Sequence, residues 1–127
     1  MTTINQKASR KQEGRITKSF KQIAEEARQA MASGALWFQK SDVITNKFRI
    51  ECKTKVKPSK QMTIKKEWLD KISEEAFYSG KIGLLAFSFG DNKDYIAIDS
   101  KEFLTLMEEL EDLRKKVEEY EKDSDDR

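Results

Sequence analysis

Residues 40–55, KSDVITNKFRIECKTK, decide how this chain is read. The stretch predicts a hairpin: Val43 and Ile44 end one strand, Thr45-Asn46-Lys47 turns, and Phe48 to Lys53 run out as the second. Side chains two apart on a strand leave the same face, so Glu51 and Lys53 point together while Cys52 points away. Asp42, on the hairpin partner, can be brought beside them. Two carboxylates about 4 Å apart repel by roughly 4 kcal/mol at an effective dielectric constant near 20. A fold that gathers Asp42 and Glu51 therefore needs a cation between them, and Lys53 alone supplies only part of it. Two acids and a lysine on strands point to an oxygen-ligated Mg²⁺ site for phosphodiester hydrolysis. The plainer alternative is a Glu51–Lys53 salt bridge on a solvated face, worth less than about 1 kcal/mol.

Upstream of the hairpin, Met1 to Gly14 is polar and basic, has no apolar periodicity, and reads as a flexible arm. Phe20, Ile23, Ala24, Ala27, Ala30 and Met31 recur at helical spacing, which predicts a helix from about Thr17 to Ala32, ended by Ser33-Gly34. Ala35 to Phe38 reads as a short strand leading to Asp42. Downstream, Lys55 to Lys60 is a basic loop holding the only proline, Pro58. Thr63 can cap a second helix running to Tyr78, with Ile64, Trp68, Leu69, Ile72, Ala76 and Phe77 as its buried stripe. Ile82 to Phe89 is apolar almost throughout, as a strand covered on both faces would be. Tyr95 to Ile98 makes another strand, and Asp99 or Ser100 caps a long terminal helix.

The order α-β-β-β-α-β-β-α predicts an α/β (α+β) fold, a small mixed sheet flanked by helices. Residues 1–14 are the arm, 15–100 the main domain, and 101–127 the terminal helix with its acidic tail. In that helix Phe103, Leu106, Leu110, Leu113, Val117 and Tyr120 alternate by three and four. A dimerising coil and a helix whose first half packs on its own sheet both account for the pattern.

Composition narrows the chemistry. The chain contains no histidine, which removes Ser-His and Cys-His nucleophile pairs and the usual zinc sites. One cysteine excludes an internal disulfide framework and suits a reducing cytoplasm. No apolar run approaches the roughly 20 residues of a membrane span, and the N-terminus lacks the apolar segment of a secretory signal. Net charge is +2, but residues 1–66 carry 16 Lys and Arg against 5 Asp and Glu, and the rest carry 9 against 18. A basic first half faces a polyanion, most simply nucleic acid. Lys40, Lys55, Lys57, Lys60, Lys65 and Lys66 surround the hairpin in sequence, while Lys7, Arg10, Lys11, Arg15, Lys18 and Lys21 lead into the first helix. Such groups would hold phosphates without reading bases.

The segments TKSFKQIAEEA, SGALWFQKSDV, FRIECKTK with Ser59 shortly after, EWLDKISEEAFYSGK and IGLLAFSF together resemble the PD-(D/E)xK nuclease superfamily. Within it the likeness is to small phage endonucleases that act as Holliday junction resolvases, and more distantly to archaeal resolvases. It spans about Arg15 to Phe89, with Ser41 where the family name would put proline. The resemblance implies an αβββαβ restriction-endonuclease-like core. It implies that Asp42, Glu51 and the Cys52 backbone carbonyl bind Mg²⁺ (Mn²⁺ substituting), and that Lys53 steadies the attacking water or the phosphate. An acid of the first helix, Glu25 or Glu26 with Glu25 preferred, would reach the same or a second ion. Ser33, Lys40, Lys55, Lys57, Ser59, Lys60, Arg15 and Lys18 would contact DNA. The implied protein is a homodimeric, cytoplasmic, phage-encoded or bacterial endonuclease cutting branched DNA. A nuclease of other specificity (flap, nick or end processing) and a non-catalytic DNA-binding protein on the same scaffold are the alternatives.

Overall fold

The hairpin forms around Thr45. Strand β2 (Val43–Ile44) pairs antiparallel with β3 (Phe48–Thr54), Val43 opposite Ile50 and Ile44 opposite Arg49. The buried Thr45 closes the turn: its hydroxyl accepts from the N–H groups of Lys47 and Phe48 at 3.1 and 2.8 Å, and its own N–H donates to the Phe48 carbonyl at 2.9 Å. A side chain that mimics a turn carbonyl fixes the register of both strands. These coordinates are a computed structural model that describes residues 3–23, 26–29 and 42–125.

Around the hairpin the elements run α1 (Ile4–Lys21), β1 (Arg28–Gln29), β2, β3, α2 (Lys66–Tyr78), β4 (Ile82–Ser88), β5 (Asp94–Ala97) and α3 (Ser100–Asp125). The five strands lie in sequence order in one sheet, with β3 and β4 parallel and every other pair antiparallel. The parallel pair requires a crossover, and α2 makes it. This is the α/β (α+β) architecture expected, a mixed sheet with helices and a long C-terminal helix. Ile50, Leu84, Leu85 and Ala86 of the two central strands are buried, and Val43, Ile44, Ile16 and Ile72 complete the core. Gly83 lets α2 lie directly on β4, since a Cβ there would come within 2.7 Å of the Ile72 carbonyl oxygen.

Three expectations are corrected. The arm 1–14 is helical from Ile4. Thr3 and Gln6 form a reciprocal capping box, the Thr3 hydroxyl accepting from Gln6 N–H and the Gln6 side chain accepting from Thr3 N–H. The first helix ends at Lys21, not near Ala32, and Arg28–Gln29 is a two-residue edge strand. Its second half rests on an apolar spacing of which, among the described residues, Ile23 is exposed and Ala27 is buried outside the helix. In α2 the cap position is Lys65, not Thr63, and Ile64 and Phe77 are exposed although Ile72 and Ala76 are buried. The expected strand Ala35–Phe38 and the Ser33-Gly34 stop lie outside the described residues.

The chain divides into two units, Met1–Ala97 and Ile98–Arg127. Among the described residues no helix is long and apolar enough to cross a membrane.

Candidate active site

Strand β3 carries the candidate residues. Its alternation sends Phe48, Ile50 and Cys52 toward α1, where Phe20 meets Phe48 edge-on at 5.7 Å between ring centres. Glu51 and Lys53 leave the other face, toward α2, where Lys53 Nζ sits 4.7 Å from the centre of the Trp68 ring. Asp42 continues the hairpin ladder one residue past Val43, its N–H donating to the Ile50 carbonyl at 3.0 Å, so it stands across from Glu51. Asp42 Oδ2 accepts from Cys52 N–H at 2.8 Å, and Lys53 Nζ lies 3.6 Å from Glu51 Oε1. Asp42, Glu51 and Lys53 are thus brought together.

The two carboxyl groups are close enough that each shifts the protonation of the other. Burial raises the Asp42 carboxyl, against the Cys52 N–H, the Glu51 hydrogen bond and the charges of Lys53 and Lys71. Glu51 is pushed up to about 7, first by burial and then by the Asp42 charge, with Lys53 and Lys71 pulling the other way. Both acids are raised, so their titration belongs to the interacting pair rather than to either residue alone.

A further acid feels the same charge. Glu13 on α1 is half-buried, and its carboxyl is pushed up to about 7 by burial first and by Asp42 second, with Arg10 opposing. Glu25, the preferred helix acid from sequence, lies outside the described residues; Glu26 is exposed and acts on Lys81 instead. The Cys52 thiol is buried and raised far above its ordinary value by burial, then by Asp42, Glu13 and Glu51, so it stays protonated and is no nucleophile.

Among the described residues no three His, Cys, Asp or Glu side chains form a ready-made metal cage. The pair itself still fits one ion class. Two half-buried carboxylates that Lys53 and Lys71 only partly offset are hard oxygen donors, and Mg²⁺ takes one or two such groups while keeping most of its waters.

Basic side chains gather in the same unit around two hollows whose linings include none of Asp42, Glu51 and Lys53. Lys55 N–H donates to the Ser88 carbonyl at 3.0 Å and Ser59 N–H to the Phe89 carbonyl at 2.9 Å, which fixes the basic loop along the end of β4. Gly90, with φ of +88°, brings the following turn so close that a Cβ would sit 2.6 Å from the Lys57 carbonyl oxygen. Lys7 and Lys11 from α1 then meet Lys55 and Lys57 around a cleft of about 280 Å³. Lys55, Ser59 and Lys60 line a second hollow of about 450 Å³. Lys18 is exposed on α1 and lies outside both linings. Ser33 and Lys40 lie outside the described residues.

Arg15, expected to contact DNA, borders the first cleft but is already engaged. Its Nε and Nη2 donate to the two oxygens of Asp94, each at 2.9 Å. Beside it the fully buried Gln12 amide donates to the Lys53 carbonyl at 2.9 Å and to the Ala86 carbonyl and Asp94 Oδ1 at 3.3 Å. Gln12, Arg15 and Asp94 therefore clamp α1 to β3, β4 and β5.

Reading by residue type missed Glu13, took Trp68 for core, and did not single out Lys71. The signal for Glu13 was present: Thr3-Ile4-Asn5-Gln6 is a helix-start signature, and it would have put Glu13 inside a helix rather than in an arm. No family model, no curated protein and no solved structure matches this chain.

Proposed function

We propose that this chain is a Mg²⁺-dependent endonuclease that hydrolyses phosphodiester bonds in branched DNA, with the four-way junction as its preferred substrate. The observation that carries the reading is the half-buried Asp42–Glu51 carboxyl pair with the Lys53 ammonium beside it. Stability alone gives no reason to bury two acids together, and groups whose protonation is shifted by burial and a like charge concentrate at functional sites. The resemblance to PD-(D/E)xK nucleases assigns the same three side chains.

In this reading Asp42, Glu51 and the Cys52 carbonyl would hold the ion, and Glu13 takes the role of the helix acid. Bound there, Mg²⁺ would supply Lewis-acid activation of water and offset the charge growing on the phosphate. Lys53, held between Glu51 and the Trp68 face, offers hydrogen bonds to the attacking water or to a phosphate oxygen. Lys7, Lys11, Lys55 and Lys57 give the cleft a positive lining that suits the backbone of one strand. None of these groups reads base edges, so selection by DNA shape follows more naturally than selection by sequence. A four-way junction presents two related strands, which suits a two-fold pair of copies.

The test is cleavage of a synthetic four-way junction with mapped cut sites, beside flap, nicked and linear substrates. Paired cuts that need Mg²⁺ and stop in chelator are the expected result. Cutting of flaps or nicks alone would move the specificity. No cutting of any substrate, together with no Mg²⁺ uptake by calorimetry, would leave a DNA-binding protein without catalysis.

A further inference from the structure

Helix α3 is 26 residues long and buries none of them. Its apolar side chains nevertheless keep a strict heptad: Phe103, Leu110 and Val117 at one seam position, Leu106, Leu113 and Tyr120 at the other. Leu113, Val117 and Tyr120 are 58%, 54% and 77% exposed. A solitary helix has no use for such a stripe, and a two-and-a-half-heptad seam is long enough to zip onto another helix. From these observations we infer that α3 pairs with α3 of a second copy as a parallel, in-register, two-stranded coiled coil. This does not rest on the nuclease reading.

The charges flanking the seam select both the occupant and its direction. On one flank stand Glu102, Glu109, Lys116 and Asp123; on the other stand Met107, Arg114 and Glu121. In a parallel pair, each residue of the first flank faces the residue five positions further on in the second copy. Glu109 then faces Arg114 and Lys116 faces Glu121, each contact made twice by symmetry, while Glu102 faces the neutral Met107. Every charged contact is attractive. Glu109 already interacts within its own chain, and the sign of the flanks, not a vacancy, selects the pairing. In an antiparallel pair centred on the same seam the first flank faces itself. Glu109 would meet Lys116, but Glu102 would meet Asp123 and repel. The pattern is self-complementary in one direction only.

The experiment uses the full chain. Sedimentation equilibrium should give twice the chain mass, and Leu113→Asp should give the monomer while the sheet unit keeps its near-ultraviolet circular dichroism. Lys116→Glu should weaken the dimer roughly tenfold at low salt, and adding Glu121→Lys should restore it. For direction, Val117→Cys in a Cys52→Ala background should cross-link chain to chain on oxidation, because residue 117 faces its own copy only when the strands are parallel. A monomeric wild type, a trimer, or a dimer that survives Leu113→Asp would overturn the pairing. A dimer that never cross-links through residue 117 would overturn its direction.

Discussion

The sheet unit contains two partly buried charge pairs built on opposite principles. Arg15 and Asp94 are unlike charges in a two-point contact, both hydrogen bonds 2.9 Å long, with Gln12 donating to the same carboxylate. Asp42 and Glu51 are like charges, with burial raising both against the help of Lys53 and Lys71. The first pair completes its own electrostatics and holds α1 on the sheet. The second is completed only by a proton or by a cation from outside. What separates clamp from receptor is whether the built-in cation balances the acids: Arg15 does so for Asp94, while Lys53 only partly offsets Asp42 and Glu51.

The comparison is broken most sharply by removing acids from each side. Asp42→Ala or Glu51→Ala should reduce junction cleavage on the order of 10³-fold, since each removes a group required at the reacting phosphate. Both variants should fold, bind junctions nearly as before, and melt in chelator no lower than wild type, because a strained pair has been relieved. Cleavage that persists in both variants removes the assignment of the site. Loss of folding in both would make the pair a structural element like Arg15–Asp94.

Next in size is the opposite experiment. Arg15→Ala leaves Asp94 partly buried without its cation, a change that typically destabilises a fold by about 3 kcal/mol. The side chains are 28% and 16% exposed, so solvent screening brings the expected loss to roughly 2 kcal/mol. Urea unfolding in chelator measures it. The fraction that remains folded should still cut DNA. Unchanged stability with weakened junction binding would return Arg15 to the DNA-contact role its position in the sequence suggested.

The proton on the acid pair gives a third, smaller effect. In the fold Glu51 holds its proton up to about 7, against an ordinary value of 4.5 in the unfolded chain. Between those values the folded state binds the extra proton, so stability falls as pH rises and levels off above the upper one. At about 1.4 kcal/mol per pH unit the full shift corresponds to about 3.5 kcal/mol, which partial solvent exposure of the pair brings below about 2 kcal/mol. Thermal melts in chelator from pH 4.5 to 8 should show the decline, and Glu51→Gln should remove about half of it, leaving the comparable share of Glu13. Mg²⁺ favours the ionised pair and should erase the decline at the alkaline end. A flat profile in chelator would mean that the pair is solvated and holds no extra proton.

How far sequence reached depends on the kind of signal each element carries. The hairpin was legible because Thr45-Asn46-Lys47 is turn chemistry between two strand-like runs, and β4 because IGLLAFS is apolar throughout. Asp42, Glu51 and Lys53 followed from period-two alternation once the hairpin was drawn. The first helix was misplaced because the buried residue of its first half is Gln12, an amide that no apolar pattern registers. Glu13 went with it. Strand β1 was invisible for a related reason: Arg28 and Gln29 are both exposed on a two-residue edge, so they alternate nothing. Arg15 looked like any lysine or arginine of a basic segment, since its partner Asp94 is 79 residues away and only the fold introduces them.

The finest distinction between clamp and receptor lies in how Lys53 is held. Glu51 Oε1 at 3.6 Å is beyond hydrogen-bond length, whereas the Trp68 ring supports the ammonium from 4.7 Å and takes Lys65 as well at 5.8 Å. A cation over an indole face at a partly solvated site is worth about 1 kcal/mol or less. Trp68→Leu keeps apolar bulk and removes the face, so stability should drop by about that amount. Junction affinity should stay within about twofold while kcat falls roughly tenfold, because a loosened ammonium weakens the transition state more than the bound state. Trp68→Phe retains an aromatic face and should recover most of the rate. If Leu and Phe variants cut equally well, the ring is only packing, and Glu51 by itself aims Lys53. That result would make the receptor simpler than the clamp, since its one built-in cation would be placed by the same carboxylate it only partly neutralises.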